Sequence, residues 1–176
     1  YEIFEKTENA FMPKQFENPS NPAAHETTAK EIISDTDKEV AYLVAGMGTG
    51  GTITGTGKAL KREIPDIKIV GVEPTLSPLI SKGYSGHHGI IGIGSNFIPG
   101  ILDVELLDEI ITVTLEEAIG TARAIAKEEG ILVGISSGAA AFAAMKIAER
   151  EEAAGKNIVV ILPNNGERYL SSRLFD

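Results

Sequence analysis

Cysteine is absent from the 176 residues, so neither a disulfide framework nor thiolate chemistry is available. Histidine is scarce: His25, His87 and His88 are the only three, and no carboxylate cluster joins them at metal-ligand spacing, which argues against a metal centre. The adjacent His87 and His88 read as solvated loop. Positive charge is also in short supply. Sixteen Lys and Arg against 25 Asp and Glu leave a formal charge of -9 and an isoelectric point near 4.9, which argues against nucleic acid or an anionic membrane surface as partner. No apolar run reaches the ~18 residues of a membrane span. The opening YEIFEKTENAF lacks the basic head and apolar core of a signal peptide. What remains is the composition of a soluble, cytoplasmic domain, with a length suited to a single unit over 1–176.

The pattern along the chain alternates strands with helices. A helix is expected over 22–35, with Asn21 as its cap and Pro22 in first position. A strand at 40–45, a helix at 52–63 and a strand at 67–72 form one βαβ unit, which further units would extend into a parallel sheet covered by helices on both faces. Residues 74–100, with six glycines and three prolines, form a long irregular excursion of the sort that carries function. A strand follows at 109–113. Thr114 and Glu117 have capping-box spacing for a helix reaching residue 129, and Gly130 is placed to end it. A last buried strand is expected at 157–162, with a turn at 163–166. There is no internal repeat, low-complexity tract or linker.

The densest signal is the stretch 41–56, AYLVAGMGTGGTITGT, where an apolar strand enters a glycine-rich turn and then a helix. Gly46, Gly48, Gly50 and Gly51 permit a sharp turn and close approach of a ligand to the backbone. The helix start offers unpaired N–H groups and the positive end of its dipole, while Thr49 and Thr52 add hydroxyl donors, so the stretch reads as a phosphate cradle. The same residues also fit a glycine turn that binds nothing. Gly46-x-Gly48-x-x-Gly51 matches a dinucleotide fingerprint too, and Glu73, about 20 residues on at a strand end, stands where such a fold places its ribose-binding acid. Glu73 reads equally as a solvated carboxylate at the end of a strand.

A second signal lies in 133–145, VGISSGAAAFAAM, where Ser136 occupies an expected N-cap ahead of an alanine-rich helix. Its hydroxyl either caps that helix or hydrogen-bonds a ring nitrogen of the ligand held by the glycine loop. Small residues at Gly138 and over 139–141 would let a flat ring lie close to the backbone.

Taken together, GMGTGGTITGTGKALK, IVGVEP, GIGSNFIPGILD, GILVGISSGAAA and ILPNNGERYLSSRLFD resemble the carboxyl-terminal half of the cysteine synthase (O-acetylserine sulfhydrylase) family of β-family pyridoxal-phosphate enzymes. The resemblance runs from QFENPSNP at 15–22 to the last residue. It implies an α/β, Rossmann-like three-layer sandwich with a mostly parallel sheet, the larger domain of a fold type II enzyme. It implies pyridoxal 5′-phosphate as cofactor, with Gly48, Thr49, Gly50, Gly51 and Thr52 around its phosphate and Ser136 at its pyridine nitrogen. An acidic chain must hold that anion by local donors rather than by net field. A neutral hydroxyl supports a protonated ring poorly, which favours β-elimination over transamination or racemisation. The implied reaction converts O-acetyl-L-serine and sulfide to L-cysteine and acetate, in a homodimer that docks the carboxyl-terminal tail of serine acetyltransferase.

The family's Schiff-base lysine and substrate-carboxylate loop belong to an amino-terminal half, and none of the eleven lysines here lies in that motif. The resemblance therefore implies one part of a longer enzyme, with no catalytic residue in this chain and no synthase activity alone. Departures fall in 85–91, where Gly89 and Ile91 replace a common lysine and glutamine, and at Ser95 and Asn96. They bear on substrate preference and on docking of the partner's tail. The readings left open are a cystathionine β-synthase or O-phosphoserine-using relative, and a non-catalytic half-domain that holds nucleotide or a partner. Glu167 and Arg168 read as an ion pair or surface charges, and Asn164 and Asn165 as within reach of the ring end of the cofactor.

Overall fold

The structure, a computed structural model, describes residues 1–175; Asp176, the last residue of the sequence resemblance, lies outside the described residues. In chain order the elements are α1 (Glu2–Lys6), α2 (Ser20–Ala24), α3 (Glu26–Asp35), β1 (Tyr42–Gly46), α4 (Gly51–Glu63), β2 (Lys68–Pro74), α5 (Leu79–Lys82), β3 (Glu109–Val113), α6 (Leu115–Glu128), α7 (Ile135–Ala148) and β4 (Ile158–Val160), with short 3-10 turns at Val104–Leu106, Glu151–Ala153 and Glu167–Tyr169. The four strands form one parallel sheet in the order β3-β2-β1-β4.

The sheet is buried on both faces, which explains why its strands are unbroken apolar runs rather than alternating ones. Successive side chains still point to opposite sides. Tyr42, Val44, Val70 and Val72 pack with Ala118, Ala122, Ala139 and Ala143 of α6 and α7. Leu43, Ala45 and Ile69 pack on the other side with Ala29, Ile32, Ile53 and Leu60 of α3 and α4. Three layers result, as the alternation of elements implies. In register, Val44 lies between Val70 and Val160 at the centre of the sheet.

Strand β3 and the capping box at Thr114 form as expected: Glu117 N–H donates to Thr114 Oγ1 at 3.2 Å, and Thr114 N–H donates to Glu117 Oε2 at 2.8 Å. Gly130 adopts φ 70° just past the helix. Strand β2 runs on through Glu73 and Pro74 because β3 pairs with both, opposite Thr112 and Val113. Strand β4 covers Ile158–Val160, shorter than 157–162, and among the described residues it pairs with β1 alone.

Two expectations are corrected. The helix over 22–35 breaks at His25, whose φ −81° and ψ 0° both end α2 and begin α3. Its carbonyl is shared between the helical N–H of Ala29, a long 3.4 Å, and the Thr56 hydroxyl of α4 at 3.3 Å, so a tertiary donor competes with the helix. Asn21 accordingly lies inside α2 rather than capping it. Glu73 is neither solvated nor free for a ribose. It is 2% exposed, and its carboxylate accepts the N–H groups of Ile80 and Ser81, both at 3.1 Å, and the Ser81 hydroxyl. It thus anchors α5, the one short helix in the irregular stretch 75–100.

Candidate functional site

From β1 the chain builds outward through β2 to β3 and then returns to place β4 on the other side of β1. The carboxyl ends of β1 and β4 therefore flank a switch point, where open parallel sheets leave a crevice. A cavity of about 560 Å³ lies there. Gly46, Gly48, Thr49, Gly50 and Thr52 line it from the β1 side, Pro163, Asn164, Arg168 and Tyr169 from the β4 side, Ile91, Gly92 and Ile93 from the irregular stretch, and Ser136 from α7.

The floor is set by the turn after β1. Gly50, at φ 84°, takes the left-handed conformation that a side chain disfavours and turns the chain into α4 without a capping side chain. The first N–H groups of α4 therefore lack a side-chain acceptor at the cavity wall, apart from Gly51 N–H, which donates to Thr49 Oγ1 at 3.3 Å. Gly51 itself does not line the cavity; it is the buried first residue of α4, packed on Asn21. The turn is tied down by Met47, whose N–H donates to Val72 O and whose carbonyl accepts Gly94 N–H, both at 3.0 Å.

Ser136 does not cap its helix. Gly134 is the N-cap of α7, and Ser136 is its second residue. Ser136 is 4% exposed, lines the cavity, and its hydroxyl has no hydrogen-bond partner among the described residues. A Cβ on Gly92 would lie 3.9 Å from Ser136 Oγ, so Gly92 keeps the space in front of that hydroxyl open. Its neighbour Ser137 is fully buried, with Oγ donating to Asn164 Oδ1 at 3.1 Å, and Asn164 Nδ2 donates to the Tyr169 hydroxyl at 2.9 Å. Gly134 N–H donates to Asn164 O at 3.1 Å. This network seats the turn after β4 against the start of α7. The N-termini of α4 and α7, neither capped by a side chain, thus meet one cavity.

Five of the six residues singled out from the sequence line the cavity together: Gly48, Thr49, Gly50, Thr52 and Ser136. Asn164 joins them, whereas Asn165 is exposed and outside. Arg168 forms no ion pair with Glu167; it is exposed and lies at the cavity's edge without a charged partner among the described residues. Ile91 lines the cavity, in keeping with the bearing of 85–91 on substrate preference, whereas Tyr169, Gly92 and Ile93 are lining residues that the sequence alone does not single out. The NNGERY turn after an apolar strand is the one available signal for Tyr169. His88 is also corrected: it is half-buried, with Nε2 3.0 Å from Gly94 O, while His87 is exposed as expected.

Residues 1–164 match the family described as pyridoxal-phosphate dependent enzyme. The chain is 53% identical over 175 residues to cysteine synthase B of Campylobacter jejuni, covering 99% of this chain and 58% of that protein. It is 51% identical over 167 residues to cysteine synthase of Staphylococcus aureus, covering 94% of this chain and 54% of the other. The crystal structure of cysteine synthase from Entamoeba histolytica superposes with a TM-score of 0.95 at 47% identity, over 99% of this chain and 52% of that one. The chain spans about half the length of the curated relatives it matches.

Proposed function

The chain belongs to the pyridoxal-phosphate-dependent enzymes, within the cysteine synthase family, and from that premise we propose that its cavity holds pyridoxal 5′-phosphate for a β-replacement yielding L-cysteine. The observation that carries this reading is the pairing, across one cavity, of a glycine-threonine cradle at one helix N-terminus with a buried hydroxyl at another that has no hydrogen-bond partner among the described residues. A phosphate suits the first and a ring nitrogen the second. The cavity volume falls in the ordinary range for small-ligand sites, about 300–1,000 Å³.

In this reading Gly48, Thr49, Gly50 and Thr52 hold the phosphate through backbone N–H groups, the α4 dipole and two hydroxyls. Gly51 contributes by supporting Thr49 and by leaving room for Asn21. Ser136 meets the ring nitrogen. Pyridoxal 5′-phosphate, when bound, draws electrons from the α-carbon of an amino acid attached to it. Ser136 offers a neutral hydroxyl and so gives no charge support to a protonated ring, which favours loss of a β-substituent over transamination. Buried Ile93 and Tyr169 form part of the cavity wall. No Lys, Asp, Glu or His lines the cavity among the described residues, and the family resemblance implies that a lysine of the amino-terminal half handles the proton on the substrate α-carbon. The substrates are O-acetyl-L-serine and sulfide, the enzyme is a cytoplasmic homodimer, and serine acetyltransferase is its docking partner. No helix among the described residues is long and apolar enough to cross a membrane.

The test is to reconstitute the full-length protein with pyridoxal 5′-phosphate and to follow L-cysteine formation from O-acetyl-L-serine and sulfide, with homocysteine and O-phosphoserine in parallel. Cysteine from O-acetylserine is the expected result. Product only with homocysteine, or only from O-phosphoserine, moves the chain to the corresponding relative. Failure to bind the cofactor defeats this reading.

A further inference from the structure

Opposite the glycine-threonine turn, the cavity wall is an arch of residues 88–94 that contributes Ile91, Gly92 and Ile93. Its two feet are fixed by packing. Ile90 is 1% exposed in the core shared with α6 and α7, and Gly89 passes so close to Leu115 that a Cβ would overlap that side chain. At the other foot, a Cβ on Gly46 would overlap Ile93. Polar ties are few. No backbone N–H or carbonyl of 88–93 is hydrogen-bonded among the described residues, so the span depends on two bonds at Gly94. Gly94 N–H donates to Met47 O, and Gly94 O accepts from the His88 side chain, each at 3.0 Å. The second bond closes the arch on itself.

The acceptor decides the chemistry of that closure. A carbonyl oxygen only accepts, so His88 carries its proton on Nε2 and leaves Nδ1 as a bare acceptor. Nδ1 is buried without a partner, the one side-chain polar atom among the described residues in that state. An unpaired buried acceptor costs free energy that a leucine in the same space would not, so the imidazole is explained by its bond to Gly94 and not by its burial. The effect of the bond is local. Gly94, at φ 72°, lies against Pro74 and the His88 ring, where a Cβ would overlap both. Two residues earlier, Gly92 is held with its carbonyl against Gly48 and with open space toward Ser136 Oγ.

We propose that His88 is a positioning residue for the substrate side of the cavity: as the Nε2–H tautomer it clasps Gly94 and holds Ile91, Gly92 and Ile93 as the wall against which the amino-acid substrate binds. The inference rests on the reaction read above and adds to it a residue that does not line the cavity. Without the clasp the arch is open more of the time, and a substrate that needs it closed binds more weakly in proportion to the closed fraction that remains. Once bound, it reacts as before.

The test uses full-length wild type, His88→Leu and His88→Gln. Leucine fills the space without a donor, and glutamine returns an N–H near the Nε2 position. Two quantities are read: hydrogen exchange of the Gly94 amide in the protein without cofactor, and steady-state kinetics with O-acetyl-L-serine at saturating pyridoxal 5′-phosphate. In His88→Leu the loss of one hydrogen bond should speed Gly94 exchange about fivefold to tenfold and raise KM for O-acetyl-L-serine by a similar factor, with kcat within about twofold of wild type. The denaturation midpoint should not fall, because the opening is local. His88→Gln should return both quantities to within about threefold of wild type. Unchanged Gly94 exchange, an unchanged KM, a loss confined to kcat, a midpoint that falls in step, or a glutamine variant as poor as leucine would each overturn the proposal. Wild type that neither binds the cofactor nor forms cysteine overturns the reaction reading and with it the substrate role, while Gly94 exchange, which needs no cofactor, still decides whether His88 clasps the arch.

Discussion

Gly48 and Gly92 are in such close apposition that a Cβ on Gly48 would overlap the Gly92 carbonyl oxygen. They belong to opposite banks of the cavity, the turn after β1 and the segment 91–93, which are tied by the 3.0 Å bond from Gly94 N–H to Met47 O. Gly48→Ala should push the banks apart at a cost of about 1–3 kcal/mol. We expect a lower denaturation midpoint and weaker pyridoxal 5′-phosphate binding together. A variant unchanged in both would mean that the 91–93 segment yields freely.

Ser136 offers the converse test. Because its hydroxyl has no protein partner among the described residues, Ser136→Ala should leave unfolding stability within about 0.5 kcal/mol of wild type. Turnover of the reconstituted full-length enzyme should nonetheless fall about tenfold or more, the loss of roughly one hydrogen bond worth of positioning. Parallel loss of stability and turnover would assign the hydroxyl a structural role instead.

Two helical glycines should respond to alanine with opposite signs. Alanine favours a helix interior by about 1 kcal/mol over glycine. Gly120 in α6 has open space where a Cβ would go, so Gly120→Ala should stabilise by up to about that amount. At Gly138 in α7 a Cβ would overlap the Ala118 carbonyl and lie 2.8 Å from Ala122 Cβ. There the collision outweighs propensity, and Gly138→Ala should destabilise by about 1–2 kcal/mol. Denaturant midpoints decide both.

Glu109 on the edge strand β3 holds Arg150, just beyond α7, through paired bonds of 2.7 and 2.8 Å. The Arg150 hydrogen bond and charge hold the Glu109 carboxyl below its ordinary pKa, against the opposing effect of burial. A carboxyl lowered by folding stabilises the protein above its unfolded pKa, and that stability is lost as pH falls through the folded value. Both side chains are about a third exposed, so the contribution is about 0.5–1 kcal/mol. The gap between wild type and Glu109→Gln should be constant from pH 7 to 5 and close below the ordinary glutamate pKa of about 4.3. A gap that persists at low pH would attribute the effect to packing.

Features carried by a few neighbouring residues are legible in the sequence alone. The capping box at Thr114 needs only a spacing of three, and the turn into α4 needs only glycines between an apolar run and a helix. Local reading fails where a distant partner intervenes. Ser136 has the residue type of a cap, yet Gly134 takes that place while the turn after β4 packs against it. Glu73 stands at the end of an apolar strand where a carboxylate is commonly exposed, yet the N–H groups of Ile80 and Ser81 fold back on it. His25 falls in the middle of a helical stretch, yet the Thr56 hydroxyl competes for its carbonyl.

The sequence by itself determined the alternation of strands and helices, the parallel sheet buried on both faces, and the glycine-threonine turn, because periodicity, propensity and turn chemistry act over a few residues. Tertiary structure decided that Ser136 meets that turn across one cavity, that Asn21 and His25 come within hydrogen-bond reach of its hydroxyls, and that Arg168 and Tyr169 close its far side. Those relations follow from β4 pairing beside β1 and from α2 lying on Gly51 and Gly55. Such contacts join segments far apart in the chain, and their stability comes from surface buried jointly, a quantity no local stretch of residues contains.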